Sequence, residues 1–156
     1  MSLKISDKAP DFSLEGINGK FSLKDQVGKN VVIYFYPKDD TPGCTLEAKG
    51  FSKNYEDFYN LNTIIVGISK DTVDCHQKFK KKYDLVVNLL SDPECLVSKL
   101  YGTWEQKSFL GKKYMGITRA TFLVDKNGSI SYIWPKVEVS GHVNDVLRVI
   151  KEKLSV

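Results

Sequence analysis

The chain has few of the residues from which metal and hydrolase sites are built: two histidines and three cysteines among 156 residues. An odd cysteine count does not describe the disulfide framework of a small secreted protein. It suits a reducing compartment, where thiols serve redox work, metal binding or packing. No Cys-x-x-Cys pair occurs, which removes dithiol exchange between neighbouring sulfurs. Cys75 and His76 are adjacent and Cys95 lies far along the chain, so nothing repeats the ligand spacing of a zinc site and no metal is expected. A cysteine hydrolase would need a histidine base. His76 and His142 both fall in polar helical contexts and are expected at the surface.

Long apolar runs are missing as well. None approaches the length of a membrane span, and Met1 to Lys8 lacks the apolar core of a signal peptide, so the expectation is a soluble cytoplasmic protein with no membrane partner. Repeats, low-complexity tracts and linkers are absent, and residues 1–156 read as a single domain. A domain of this size buries about two-thirds of its unfolded surface without a staple. The net charge of +4 is spread along the chain apart from Lys78, Lys80, Lys81 and Lys82. That cluster is expected to be a solvated helix end, not a nucleic-acid surface.

The residues present give an ordered series of elements. Asp11 to Leu14 and Lys20 to Leu23 flank an Asn18-Gly19 hairpin signal. Val31 to Tyr36 is apolar on both faces and predicts a central strand. A helix should follow from about Cys44 to Phe58, with Leu46, Phe51, Tyr55 and Phe58 on its buried side. Thr63 to Ser69 predicts a second buried strand, after which Asp71 should cap a helix reaching Tyr83. Asn88 to Ser91 predicts a short strand, and Asp92-Pro93 a helix start running to Tyr101. After an irregular stretch, Thr121 to Val124 and Ser129 to Trp134 predict a hairpin, and residues 141–154 a closing helix. This order gives an α/β chain: a mixed sheet with helices on both faces, a thioredoxin-like arrangement with an N-terminal β-hairpin.

Cys44 is the residue with the clearest chemical assignment. A strand runs into Pro37-Lys38-Asp39-Asp40-Thr41-Pro42-Gly43 and delivers Cys44 to a helix start. The first N–H groups of a helix have no intrahelical partner, and the macrodipole is positive there, so a sulfur anion is favoured. Thr41, three residues earlier, adds a hydroxyl that both donates and accepts. A lone activated sulfur beside such a hydroxyl suits a peroxide, which the thiolate attacks to give a sulfenic acid. Lowering a thiol pKa from about 8.5 to about 6 raises the thiolate fraction at pH 7 about thirtyfold, but the weaker nucleophile gives back roughly tenfold. Most of any rate must therefore come from donors that hold the leaving oxygen.

Pro37, Thr41 and Cys44 match the Pro-x-x-x-Thr-x-x-Cys motif of the peroxiredoxins. Thr41 to Thr45 followed by Glu47-Ala48 resembles the bacterioferritin comigratory protein, or peroxiredoxin Q, branch. The resemblance extends through Ala9 to Leu14, Gly67 to Asp71, Leu90 to Asp92, Lys107 to Phe109 and Gly116 to Asp125. It implies Cys44 as the peroxidatic cysteine, Thr41 as the hydroxyl that orients peroxide, Pro37 as the shield of the sulfur and Arg119 as the fixed cation. Glu47 either orients Arg119 or simply complements the helix dipole. Tyr36, Trp104, Phe109 and Trp134 are expected as core or pocket-wall aromatics. The activity implied is reduction of hydrogen peroxide and organic hydroperoxides, recycled by thioredoxin or a similar thiol, with no cofactor and as a monomer.

The pattern breaks at the second sulfur. Branch members carry a resolving cysteine at the position of Lys49 or at that of Lys80. Cys75 lies on the helix of the second position, but about 140° around it, so resolution by Cys75, by Cys95 or by an external thiol all stay open. Two other classes compete with a peroxidase: a thiol–disulfide oxidoreductase on the same fold, and a binding protein using the lysine cluster.

Overall fold

The two segments around Asn18-Gly19 pair as predicted, as β1 (Ser13–Gly16) and β2 (Gly19–Ser22), with Gly16 opposite Gly19. The structure, a computed structural model, describes residues 3–154. The further strands are β3 (Asn30–Phe35), β4 (Thr63–Ser69), β5 (Asn88–Ser91), β6 (Trp104–Phe109), β7 (Lys112–Ile117), β8 (Ala120–Val124) and β9 (Ile130–Trp134). Five helices accompany them: α1 (Pro42–Lys53), α2 (Tyr55–Asn60), α3 (Val73–Tyr83), α4 (Leu96–Leu100) and α5 (His142–Lys153). Seven strands make a mixed sheet in the order β2-β1-β5-β4-β3-β8-β9, and β6 with β7 forms a separate hairpin.

β3 is buried along its whole length, and because successive side chains point to opposite faces it feeds two cores. Val32, Tyr34 and Tyr36 join Phe51, Phe58, Phe79, Val146 and Ile150 on one face. Val31, Ile33 and Phe35 join Ile68, Tyr101 and Phe122 on the other. α1 and α5 approach closely enough that a Cβ on Gly50 would lie 2.9 Å from Val143 Cγ2. A side chain there would push the helices apart.

Strand register positions the functional rim. β3 and β4 are parallel, with Phe35 beside Ile68, and β5 continues the parallel set with Ser91 beside Ser69. β8 is antiparallel to β3, with Ala120 opposite Phe35. The segments after β3 and β4 and the residue just before β8 therefore emerge at the same end of the sheet's central strands. Cys44, Asp71 and Arg119 belong to those segments.

Several expectations are corrected. The helix after β3 breaks at Asn54 into α1 and α2. Leu46 is 63% exposed, not on the buried face. Thr72, not Asp71, caps α3, accepting from the Cys75 N–H at 3.2 Å. Asp92-Pro93 does not open α4 directly. The helix begins at Leu96, and the Asp92 carboxylate reaches forward to the N–H groups of Val97 and Ser98. The stretch expected to be irregular is the β6–β7 hairpin.

Candidate active site

α1 starts at Pro42, with Thr41 at its N-cap, so Cys44 is the third helical residue. Proline at the first position lacks the N–H that would go unbonded there anyway. The N–H groups of Gly43 and Cys44 precede the first intrahelical bond, Thr45 N–H to the Thr41 carbonyl at 2.8 Å. Cys44 thus belongs to the turn whose first N–H groups the helix leaves unused. Cys44 is 1% exposed and packs into the core with Tyr34, Tyr36 and Ala48.

Arg119 reaches this sulfur from the edge of β8. Its Nη2 donates to Cys44 Sγ at 3.3 Å and its Nη1 to Glu47 Oε1 at 2.8 Å. One planar group thus reaches two side chains from two different nitrogens. Gly43 makes room for it, since a Cβ there would lie 3.0 Å from Nη2. Glu47 is fully buried, and its Oε2 has no protein partner among the described residues. Burial pushes its carboxyl up to about 7, with the Arg119 charge pulling against the rise. Burial opposes the charge on Arg119, but Glu47 and the Cys44 sulfur outweigh it and raise its pKa. Glu47 thus holds one nitrogen of the guanidinium while the other meets the sulfur.

Thr41 does not cap α1 through its side chain. Its hydroxyl donates to the Lys38 carbonyl at 2.9 Å, closing the loop on itself. That leaves the oxygen lone pairs free to accept. Pro37 is exposed and lines a cavity of about 290 Å³ with Lys70, Trp104, Lys107, Met115 and Ile117. Trp104 is thus a pocket-wall aromatic as expected, whereas Phe109 is 67% exposed on the hairpin. Tyr36 belongs to the core and Trp134 is half-buried, donating to Asp145 at 2.8 Å.

Cys75 is not part of this group. It is partly buried at the third position of α3, and its thiol faces Asp71 Oδ1 at 3.8 Å. Partial burial first, then the charges of Asp39 and Asp71, push the thiol up to about 11. Asp39, Asp71 and Cys75 offer ligand atoms within 4.8 Å of one another. Both Asp39 oxygens are already engaged, Oδ1 by the Tyr36 hydroxyl and Oδ2 by His76. Asp71 Oδ2 accepts from the Asp39 N–H and the Ser69 hydroxyl.

Both histidines are buried, contrary to the surface expectation. His76 is 0% exposed and spans Asp39 Oδ2 at 2.6 Å and the Leu90 carbonyl at 2.9 Å. His142 contacts Thr121 Oγ1 at 2.8 Å, and burial, aided by the Arg119 charge, lowers its pKa to about 4. Sequence reasoning missed the Tyr36–Asp39–His76 cluster. The available signal was Asp39 lying inside the Cys44 loop.

The sequence profile of the AhpC/TSA family matches residues 5–133. The chain is 44% identical over 153 residues to peroxiredoxin Bcp of Bacillus subtilis, covering 97% of this chain and 98% of that one. The chain belongs to the peroxiredoxins of the AhpC/TSA family. Solved structures of this peroxiredoxin's relatives agree in fold. Xylella fastidiosa PrxQ superimposes with a TM-score of 0.92 at 29% identity, covering 97% of this chain and 98% of that one. The Xanthomonas campestris bacterioferritin comigratory protein, which has alkyl peroxide reduction activity, gives a TM-score of 0.86 at 34% identity, with 90% of each chain covered. The thioredoxin-like reading of the element order is borne out. The protein is a thiol peroxidase: its substrate is a peroxide and its reductant a thiol. Among the described residues, no helix is long and apolar enough to cross a membrane.

Proposed function

We propose that Cys44 is the peroxidatic sulfur of this peroxiredoxin, with Thr41, Arg119 and Pro37 around the reacting oxygens and Glu47 positioning Arg119. The observation that carries the reading is the Arg119 fork, 3.3 Å from Cys44 Sγ and 2.8 Å from Glu47 Oε1. The ionised sulfur attacks one peroxide oxygen in line. An S–O bond forms as the O–O bond breaks, so sulfur is oxidised to the sulfenic acid and the peroxide is reduced. The other oxygen leaves as hydroxide or alkoxide and takes up a proton, giving water or an alcohol.

Each neighbour has a stated part. Arg119 and the N–H groups of Gly43 and Cys44 donate to the departing oxygen, where its charge develops. Thr41, its own hydrogen directed to Lys38, accepts the peroxide O–H and aligns it. Pro37 narrows the approach from solvent.

Substrates are hydrogen peroxide and organic hydroperoxides, a breadth supported by the alkyl peroxide activity of the Xanthomonas campestris relative. The sulfenic acid is resolved by an external thiol, thioredoxin or a similar dithiol, because Cys75 lies among carboxylates that oppose its ionisation. The protein works as a cytoplasmic monomer. Stopped-flow mixing with hydrogen peroxide tests the assignment: Cys44→Ser abolishes the oxidation step, and Cys75→Ser retains it. A Cys44→Ser protein that consumes peroxide at the parent rate would overturn it.

A further inference from the structure

A cysteine that is 1% exposed admits a small peroxide more readily than the thiol of another protein. The two halves of the cycle therefore make opposite demands: Cys44 must be held in for oxidation and must come out for resolution. The loop that carries Cys44 has one buried attachment to the rest of the fold and one exposed attachment.

The buried attachment is built on Asp39. Its side chain is 1% exposed and that of His76 0%. The His76 ring presents both nitrogens to acceptors, Nδ1 to Asp39 Oδ2 at 2.6 Å and Nε2 to the Leu90 carbonyl at 2.9 Å. A carbonyl only accepts, so Nε2 carries a proton and ties the ring to β5. The Tyr36 hydroxyl donates to Asp39 Oδ1 at 2.6 Å, and the Asp39 N–H donates to Asp71 Oδ2 at 2.8 Å. Both oxygens of the Asp39 side chain are thus spent on holding the loop to Tyr36, just after β3, and to His76 of α3, which is tied in turn to β5. The exposed attachment is Asp40, which meets Lys82 Nζ at 2.8 Å and the Tyr83 hydroxyl at 2.6 Å. Solvent competes for those contacts, whereas the Asp39–His76 pair is shut away from water.

We propose that the His76–Asp39 pair is a latch on the Pro37–Thr41 loop, and that its opening sets the rate at which oxidised Cys44 meets a reducing thiol. His76 is then a positioning residue for resolution, and the inference rests on Cys44 being the peroxidatic sulfur. In that step the thiolate of the reductant attacks the sulfenic sulfur. An S–S bond forms, the S–O bond breaks, and hydroxide leaves and is protonated to water.

The arithmetic of a two-state loop gives the latch an asymmetric signature. When the docked form dominates, weakening the latch tenfold barely lowers the docked population but multiplies the open one by about ten. His76→Gln is therefore expected to keep oxidation by hydrogen peroxide within about twofold while speeding capture of the sulfenic acid by 5-thio-2-nitrobenzoate about tenfold. Asp39→Asn keeps a neutral hydrogen bond to the ring and is expected between parent and His76→Gln. Should His76→Gln fail to fold, Asp39→Asn carries the test. Lys82→Ala cuts only the exposed attachment and is expected to match the parent. A residue with a merely structural role would slow both steps together. Capture unchanged or slowed in folded His76→Gln or Asp39→Asn, or accelerated equally in Lys82→Ala, would overturn the latch. If Cys44→Ser still consumes peroxide, the site assignment fails instead, and the two failures are separable.

Discussion

Cys44 and Cys75 occupy the same place in two helices, the third residue of α1 and the third of α3. Each follows a buried parallel strand, and each lies in a first turn whose N–H groups face outward from the helix. Their surroundings are opposite in sign. A guanidinium donates to the Cys44 sulfur at 3.3 Å, whereas partial burial and then the charges of Asp39 and Asp71 push Cys75 up to about 11. At pH 7.5 that leaves about one Cys75 in three thousand ionised. The helix start alone does not make a reactive thiol. The two sulfurs differ in the charged groups that the segments flanking β3, β4 and β8 bring to each.

Removing the cation should have the largest effect. Arg119→Ala is expected to slow oxidation of Cys44 by hydrogen peroxide by about 10²–10³, the cost of losing a donor aimed at developing charge. Pre-steady-state fluorescence reads the step directly. Arg119→Lys should recover only part of it, because an ammonium cannot reach Cys44 and Glu47 with the geometry of a planar fork. If Arg119→Ala oxidises at the parent rate, the contrast between the two thiols does not rest on Arg119.

A subtler change moves the cation without removing it. A Cβ on Gly43 would lie 3.0 Å from Arg119 Nη2, so Gly43→Ala must displace the guanidinium from the sulfur by a few tenths of an ångström or more. Loss of about tenfold in the oxidation rate is expected, with the fold intact by circular dichroism. An unchanged rate would mean that the distance from Arg119 to the sulfur is not critical.

How much of this was legible in the sequence differs between the two thiols. The Cys44 loop carries proline, glycine and threonine at diagnostic places, so strand, cap and sulfur could be read locally. Arg119 could not. Its nearness to Cys44 comes from the antiparallel register that sets Ala120 opposite Phe35, a long-range pairing that composition and periodicity do not encode. It entered only through resemblance to a family. The setting of Cys75 was missed for a similar reason. Sequence context predicts Asp71 as a helix cap, a common local use of such a residue, but its carboxylate instead holds the Asp39 N–H and the Ser69 hydroxyl. The polar helical neighbours of His76 predict a surface residue, although one face of α3 turns inward with Phe79. The β6–β7 hairpin escaped because its strands are mostly exposed and lack alternating burial.

The carboxylates around Cys75 can be weakened in turn. Asp71→Asn leaves Asp39 in place and is expected to lower the Cys75 pKa by about one unit. Thiolate then rises about tenfold at neutral pH, but the less basic sulfur is a weaker nucleophile, so alkylation of Cys75 by iodoacetamide should quicken only about threefold. The pH profile of alkylation, read by peptide mass spectrometry, should shift to lower pH by the same unit. A profile that stays put would remove Asp71 as a cause of the difference between the two sulfurs.

The smallest effect expected is that of deleting Cys75 itself. Bridging two cysteines requires Cα atoms roughly 4.4–6.8 Å apart with converging Cβ vectors. Here Cys44 is held by Arg119 and Cys75 faces Asp71, so a bridge would have to take both sulfurs out of those contacts. Cys75 would also have to leave Asp71 and act as a nucleophile in a field that opposes its anion. With excess external thiol, Cys75→Ser should therefore turn over peroxide within about twofold of the parent. After one equivalent of peroxide and then the thiol, intact-mass analysis of the parent should find the adduct on Cys44. A Cys44–Cys75 linked peptide would break the contrast, because the second sulfur would then have to come out of its acidic setting before the first is reduced.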